Sequence, residues 1–343
     1  MENVRDAIFV IDDERRILFA NAAAARQFGG DRTGLSFVRV VRNPAVLEAI
    51  EAVLSGAATR KVQFVQEGQY RIFYDVTIAA IADAAGNPTR AMVGLADISH
   101  IHEAEQMRSD FVANVSHELR SPLTSLAGFI ETLRGPARDD PAASERFLSL
   151  METEAQRMVR LIQDLLSLSK VEANQRIRPE DEVDVVSVVR RLLRTLAGLA
   201  EREGKALKLD ATTEVAPVTG SDDELTQVFQ NLIENAIKYG RADSTVTVRI
   251  DWLDKAMGMS GPAVSVTVID QGEGIPREHI PRLTERFYRV DTHRSRDKGG
   301  TGLGLAIVKH IIGRHRGRLQ IESEANIGSR FRVLLPARPK AQA

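Results

Sequence analysis

Short apolar runs alternate with polar turns over the first hundred residues. Ala7-Ile8-Phe9-Val10-Ile11 and Ile17-Leu18-Phe19-Ala20 are joined by Asp12-Asp13-Glu14-Arg15, the spacing of a hairpin. A helical period near 44–54 follows, then strand-like runs at 61–66, 70–81 and 90–98, with Gly68 and Gly86-Asn87-Pro88 at the turns. That order predicts a sheet with helices on one face. From about 100 to 134 the period lengthens: Phe111, Val115 and Leu119 recur every four residues, and Gly135-Pro136 ends the helix. A second helix over 141–173 carries a seam of Phe147, Met151, Ala155, Met158, Ile162 and Leu165. Two antiparallel helices with polar backs bury such seams poorly alone, so a dimeric four-helix bundle is the expected completion. Beyond Pro179 the pattern alternates: helix 183–203, strand 205–211, helix 222–239, strands 245–252 and 263–269, helix 304–315, strands 318–323 and 329–335. That reads as an α/β sandwich, with a frayed tail after Pro336. The whole is a multi-domain α+β chain with boundaries at 1–99, 100–175 and 180–338.

Composition narrows the chemistry. The 343 residues hold 46 Lys+Arg against 47 Asp+Glu, a formal charge of −1, so no global basic field argues for nucleic acid. With no cysteine, disulfides, thiolate zinc sites and iron–sulfur clusters are excluded, and a reducing, cytoplasmic setting is expected. No apolar run approaches the roughly 20 residues of a membrane span, and Met1-Glu2-Asn3-Val4-Arg5-Asp6 does not open a signal peptide. Any membrane anchor is therefore expected to lie outside these residues.

Three stretches of the C-terminal half carry nucleotide-type chemistry. On the 222–239 helix, Asn231, Asn235, Lys238 and Tyr239 fall at i, i+4, i+7 and i+8, on one face. Amide oxygens suit Mg²⁺, which takes few protein ligands beside phosphate oxygens and water, and Lys238 adds charge for phosphate. Ser221 and Glu224 have the spacing of a capping box at the start of this helix. The alternating strand Val264–Ile269 ends in Asp270-Gln271-Gly272-Glu273-Gly274, a carboxylate able to accept from an adenine amine beside glycines that let backbone approach the base. Finally, Gly299-Gly300-Thr301-Gly302-Leu303-Gly304 opens into an apolar helix, whose free N–H groups suit phosphates. It is not a Walker A loop, because no Gly-Lys-Ser/Thr follows, and no strand leads into it as a dinucleotide fingerprint needs. Between Phe287 and Gly299 the chain is polar and basic, from Tyr288-Arg289 to Lys298, the composition of a lid over phosphates. Taken singly, each stretch also fits a solvated helix face or a plain Gly-rich turn.

These stretches, with Glu285-Arg286-Phe287-Tyr288-Arg289, resemble the N, G1, F and G2 boxes of the sensor histidine kinases, whose ATP-binding domain is the Bergerat fold of gyrase, Hsp90 and MutL. The resemblance implies that Asn235 ligates Mg²⁺ with Asn231 beside it, that Lys238 and Tyr239 approach the nucleotide, and that Asp270 binds the adenine amine. Gly272, Gly274, Gly300, Thr301, Gly302, Leu303 and Gly304 would shape the ATP loops, with Phe287, Arg289 and Lys298 on the lid side.

On the first bundle helix, Ser116-His117-Glu118-Leu119-Arg120-Ser121-Pro122 places His117 opposite the Val115/Leu119 stripe, hence exposed. Imidazoles titrate near neutrality, so a neutral ring is available as nucleophile, and Glu118 is near enough to orient it or take its proton. Pro122 kinks the helix one turn on. An isolated exposed helical histidine is ordinarily inert; the stretch resembles the H box of the same family, which implies that His117 is the phosphoacceptor and Glu118 its catalytic neighbour. Ser121 stands where many relatives carry Thr or Asn and implies phosphatase activity toward the partner. The other six histidines read as surface or packing residues. Residues 1–98 resemble a PAS domain, and lacking both Cys and His they exclude a cysteinyl–flavin adduct and a His-ligated haem. The domain order looks most like the phosphate-regulon sensor kinase type. The resemblance implies ATP and Mg²⁺ as cofactors, a homodimer through the 100–173 helices and the receiver domain of a separate response regulator as partner. It also implies membrane contact only through segments outside this chain, as in the cytoplasmic portion of an inner-membrane kinase. A clamp-type ATPase and a PAS scaffold with a vestigial ATP site are the competing readings.

Overall fold

The computed structural model describes residues 4–68, 70–82, 88–174, 177–290 and 300–338. They form two compact units, Met1–Ala113 and Asn114–Ala343. In the first, strand alternation becomes one antiparallel sheet of β1 (Ala7–Asp12), β2 (Ile17–Ala20), β3 (Arg60–Gln66), β4 (Ile72–Ala82) and β5 (Pro88–Asp97), in the order β2-β1-β5-β4-β3. Phe9, Ile11, Val76, Ile78, Val93 and Leu95 point into the core, where α1 (Ala22–Phe28) and α2 (Pro44–Leu54) cover them. The expected hairpin and α2 are present. The seven-residue α1 has too few turns to show a period; what starts it is Asn21, fully buried, whose Oδ1 accepts from Ala24 N at 2.9 Å and Ile8 N at 3.0 Å. Asn43 caps α2 in the same way, with Pro44 in its first turn.

The helices α3 (Ser99–Arg134) and α4 (Pro141–Ala173) form the predicted hairpin. Asp140 caps α4 by accepting from Ala142 N and Ala143 N, both at 3.0 Å. Within one chain the expected seam of α4 is only partly covered. Arg157, Leu161, Leu168 and Val171 are buried, whereas Ile162 and Ala155 are exposed. The reason lies further along the chain: a helix of the C-terminal sandwich packs on α4 and takes that face. The exposed row, including Val159, Ile162 and Leu166, remains uncovered within one chain.

The sandwich sheet runs β11-β12-β10-β9-β7, built from β7 (Ala206–Ala211), β9 (Thr245–Leu253), β10 (Ala263–Asp270), β11 (Arg318–Glu324) and β12 (Gly328–Pro336). Only the β7–β9 pairing is parallel. A two-stranded ladder of β6 (Glu182–Asp184) and β8 (Pro217–Thr219) stands apart; neither short strand was legible, and β6 takes the first residues assigned to a helix. Against the sheet lie α5 (Val185–Arg202), α6 (Asp222–Tyr239) and α7 (Gly304–Arg314). Among the described residues no helix is long and apolar enough to cross a membrane.

Candidate functional site: a nucleotide cleft and a histidine hairpin

The entry to α6 departs from the capping box. Ser221 is the N-cap and its hydroxyl accepts from Glu224 N at 3.5 Å, but Glu224 does not reach back. Its carboxylate pairs with Arg314 at the end of α7, and the Ser221 N–H donates instead to His315 Nε2 at 3.1 Å. His315 Nδ1 lies 2.8 Å from the Ile311 carbonyl, so the neutral ring with its proton on Nδ1 satisfies both partners. His315 is thus a buried clasp between α6 and α7 rather than an incidental packing residue. Burial depresses its basicity, outweighing the pull of the Ile311 carbonyl and of Glu224. A depressed folded value means that the unfolded chain binds the extra proton first. Stability supplied by His315 is therefore complete above its ordinary value of 6.5 and is lost as pH falls below it toward the folded value. Thermal unfolding of His315→Ala should show a loss of about 1 kcal/mol at pH 8, with the gap to the parent closing toward pH 5; an unchanged gap would contradict the clasp.

The four nucleotide-type stretches converge. Asn231, Asn235, Lys238 and Tyr239 share the partly exposed face of α6, as their spacing requires. Asn231 Nδ2 donates to the Gly304 carbonyl at 3.5 Å, tying α6 to the glycine loop that opens α7. Gly240, just past α6, bridges Gly272 in the turn after β10. Phe287 N donates to the Gly302 carbonyl at 2.8 Å, joining the phenylalanine stretch to the same glycine loop. Lys238 pairs with Glu234 at 3.2 Å, and the Thr301 hydroxyl accepts from Leu303 N at 3.3 Å beside the open N-terminus of α7. Lys298 lies outside the described residues; Arg289, Gly300 and Thr301 flank that gap.

Asp270 sits at the floor, only 6% exposed. Its Oδ1 accepts from Gly272 N at 2.8 Å and Ser329 N at 3.2 Å, which leaves Oδ2 as the oxygen for an outside donor. Burial pushes its carboxyl above the usual aspartate range, against the pull of those two N–H groups. Gly274 holds the turn, at φ +72 with a notional Cβ 2.0 Å from the Glu324 carbonyl oxygen, so any side chain there drives β11 away. A half-committed carboxylate, a carboxamide face and a helix N-terminus around one cleft suit a purine nucleotide with its phosphates toward α7. Among the described residues no three His, Asp or Glu side chains gather as a metal cluster. The donor set is a carboxamide, Asn235, which fits a cation held mainly by phosphate oxygens.

His117 is exposed on α3, and Ser121 is exposed one turn later; Pro122, the next residue, is buried. Glu118 turns inward, its side chain 17% exposed. Its Oε2 receives Arg157 Nη2 from α4 at 2.9 Å and Arg289 Nη2 at 3.2 Å. Further bonds hold α4 against the sandwich: Thr301 donates to Asp164 Oδ2 at 2.6 Å, Ser167 to Gln227 Oε1 at 2.8 Å, and Arg286 pairs with Glu172. Burial raises the Asp164 carboxyl above its usual range, opposed by the Thr301 hydroxyl and then by nearby Lys238. Sequence reading passed over Arg157 and Asp164. One signal was available: Arg157 falls in the same helical row as Leu161 and Leu168, a cation inside an apolar stripe.

Comparison with known proteins agrees with this architecture. Residues 1–103 match the PAS fold, 107–174 the His Kinase A (phospho-acceptor) domain, and 220–339 the histidine kinase-, DNA gyrase B- and HSP90-like ATPase family. The chain belongs to the sensor histidine kinases and is a protein histidine kinase built on an ATPase-type domain. It is 36% identical over 331 residues to the phosphate regulon sensor protein PhoR of Pseudomonas aeruginosa, covering 96% of this chain and 71% of that protein. It is 30% identical over 344 residues to a sensor protein kinase WalK of Staphylococcus aureus, covering 97% of this chain and 79% of the relative, and it spans 54% of the WalK of strain Newman. Among solved structures, that of histidine kinase ThkA in complex with response regulator protein TrrA shares the fold with a TM-score of 0.53, at 19% identity over 99% of this chain and 98% of that one.

Proposed function

We propose that the chain phosphorylates itself on His117 with ATP and passes the phosphoryl group to an aspartate of a separate response regulator. In this reading 1–99 is the sensor domain, 100–175 the dimerising phosphotransfer hairpin and 180–338 the ATP-binding domain. A ring nitrogen of His117 forms a bond to the γ-phosphorus while the bond from that phosphorus to the β–γ bridging oxygen breaks. The electron pair leaves on ADP, and the second ring nitrogen sheds its proton toward Glu118. Asp270 accepts from the adenine amine. Lys238, Arg289, Lys298 and the N–H groups at the start of α7 neutralise phosphate charge, and Gly272, Thr301, Leu303 and Gly304 line the backbone around it. Asn235, with Asn231 beside it, would hold Mg²⁺, which supplies charge neutralisation on the phosphates. The observation that carries the reading is the set of three contacts, Asn231–Gly304, Gly240–Gly272 and Phe287–Gly302, that closes the four motifs around Asp270.

Pairing of two chains through the 100–173 helices is supported by the uncovered apolar row on α4, where Val159, Ile162 and Leu166 are 54%, 45% and 66% exposed. In the same reading the Ser121 hydroxyl, one turn from His117, orients a water against the phosphorylated regulator, so that the chain is its phosphatase as well. A kinase serving receiver domains works in the cytoplasm, and attachment to a membrane would run through segments other than these residues. Incubation with γ-labelled ATP tests the reading. The parent should acquire an acid-labile, base-stable label and His117→Ala none; a label of unchanged size on His117→Ala would refute it.

A further inference from the structure

Two guanidinium groups meet one carboxylate oxygen beside the phosphoacceptor, and they come from different parts of the fold. Arg157 reaches Glu118 Oε2 at 2.9 Å from α4, the other arm of the same hairpin. Arg289 reaches the same oxygen at 3.2 Å from the polar segment before Gly300. All three side chains are largely buried, at 10%, 6% and 17% exposure. Arg157 also faces Glu154 at 3.6 Å, one turn back on α4, so its charge is shared between two carboxylates.

The reading above, on which this inference rests, sends Arg289 to the phosphates when ATP is bound. Glu118 then loses one of its two cations. A carboxylate in so enclosed a place is costly without a partner, and it answers by swinging out to water. That swing removes it as the group that orients and deprotonates the His117 ring. Arg157 is fixed on the hairpin itself and has no reason to follow the nucleotide. Its planar fork gives Oε2 a directional hydrogen bond as well as a charge.

We infer that Arg157 is the positioning residue that keeps Glu118 aimed at His117 once Arg289 has moved to the phosphates. Arg157 touches neither nucleotide nor phosphoacceptor in this account; it acts through Glu118 alone. That dependence separates positioning from plain structural support, because a residue acting through Glu118 has nothing left to do when Glu118 is disabled.

The test is the initial rate of autophosphorylation of the full chain across a range of Mg·ATP concentrations. The variants are Arg157→Ala, Arg157→Lys, Glu118→Gln and the double variant. Glu118→Gln should lower kcat on the order of 100-fold, the scale of a lost acid–base group. Arg157→Ala should lower kcat by roughly 30-fold with KM for ATP changed less than about twofold, and Arg157→Lys should recover part of the loss because charge persists without the fork. The double variant should be no slower than Glu118→Gln alone. Parental kcat in Arg157→Ala beside a slow Glu118→Gln overturns this inference and leaves the proposed function standing, as does a double variant slowed by the product of the single effects. Parental kcat in Glu118→Gln overturns the role of Glu118 and this inference together. If Arg157→Ala does not fold, Arg157→Gln, which keeps length and hydrogen bonding, carries the same comparison in both backgrounds.

Discussion

Asp270→Asn is expected to weaken ATP binding by about 100-fold, equivalent to roughly 2.7 kcal/mol. The loss follows from donor and acceptor geometry. Oδ1 already accepts from Gly272 N and Ser329 N. An asparagine that keeps those two bonds must present its NH₂ to the ligand, donor against the adenine amine. Flipped, it presents the NH₂ to two buried backbone donors and strands both. Neither orientation serves, although the change is isosteric and removes a buried charge. Stability of the ligand-free chain should therefore hold or rise while affinity falls, a combination that unfolding cannot produce. Calorimetric titration with ATP, together with thermal unfolding of the free variant, reads both. Because burial raises the Asp270 carboxyl, parental affinity should begin to decline on acidification earlier than an ordinary aspartate would allow, and Asp270→Asn should lack that limb.

Gly302→Val should abolish autophosphorylation to below about one hundredth of the parental rate and destabilise the chain by about 2–4 kcal/mol. Gly302 has φ +73, and a Cβ there would stand 2.8 Å from both the Cα and the carbonyl carbon of Phe287. Phe287 cannot yield easily, since it is itself left-handed at φ +63 and its N–H is bound to the Gly302 carbonyl at 2.8 Å. A β-branched residue therefore breaks the Phe287–Gly302 bond that fastens the phenylalanine stretch to the phosphate loop. Label incorporation and thermal unfolding both check this. Parental values in both would mean that the loop is not the rigid element described.

The legible parts of this protein were those fixed by local rules. The bounds of α6 follow from Ser221 before it and Gly240 after it, and the shared face of Asn231, Asn235 and Lys238 follows from helical period alone. Gly274 and Gly302 stood out because backbone that strained admits little else. What escaped depends on partners distant in sequence. Glu224 looked like the second half of a capping box, yet Arg314 lies close enough to claim it, and His315 supplies the acceptor instead. On α4 the residues Leu161, Leu168 and Val171 are buried and α7, well over a hundred residues later, packs on that helix, while seam residues such as Ile162 stay exposed within one chain. Periodicity locates an apolar stripe but cannot say which of two partners will cover it. Arg157 was passed over for the same reason, its meaning residing in Glu118 on the opposite arm of the hairpin.

The measurement that bears most directly on the account is the position of the phosphoryl group. The chain would be phosphorylated with ATP, digested at neutral to alkaline pH and mapped by mass spectrometry. A phosphohistidine confined to the peptide containing His117, absent when Asp270→Asn is used in place of the parent, is the result expected. Phosphate on any other of the seven histidines, or on a serine or threonine with His117 unmodified, would contradict it.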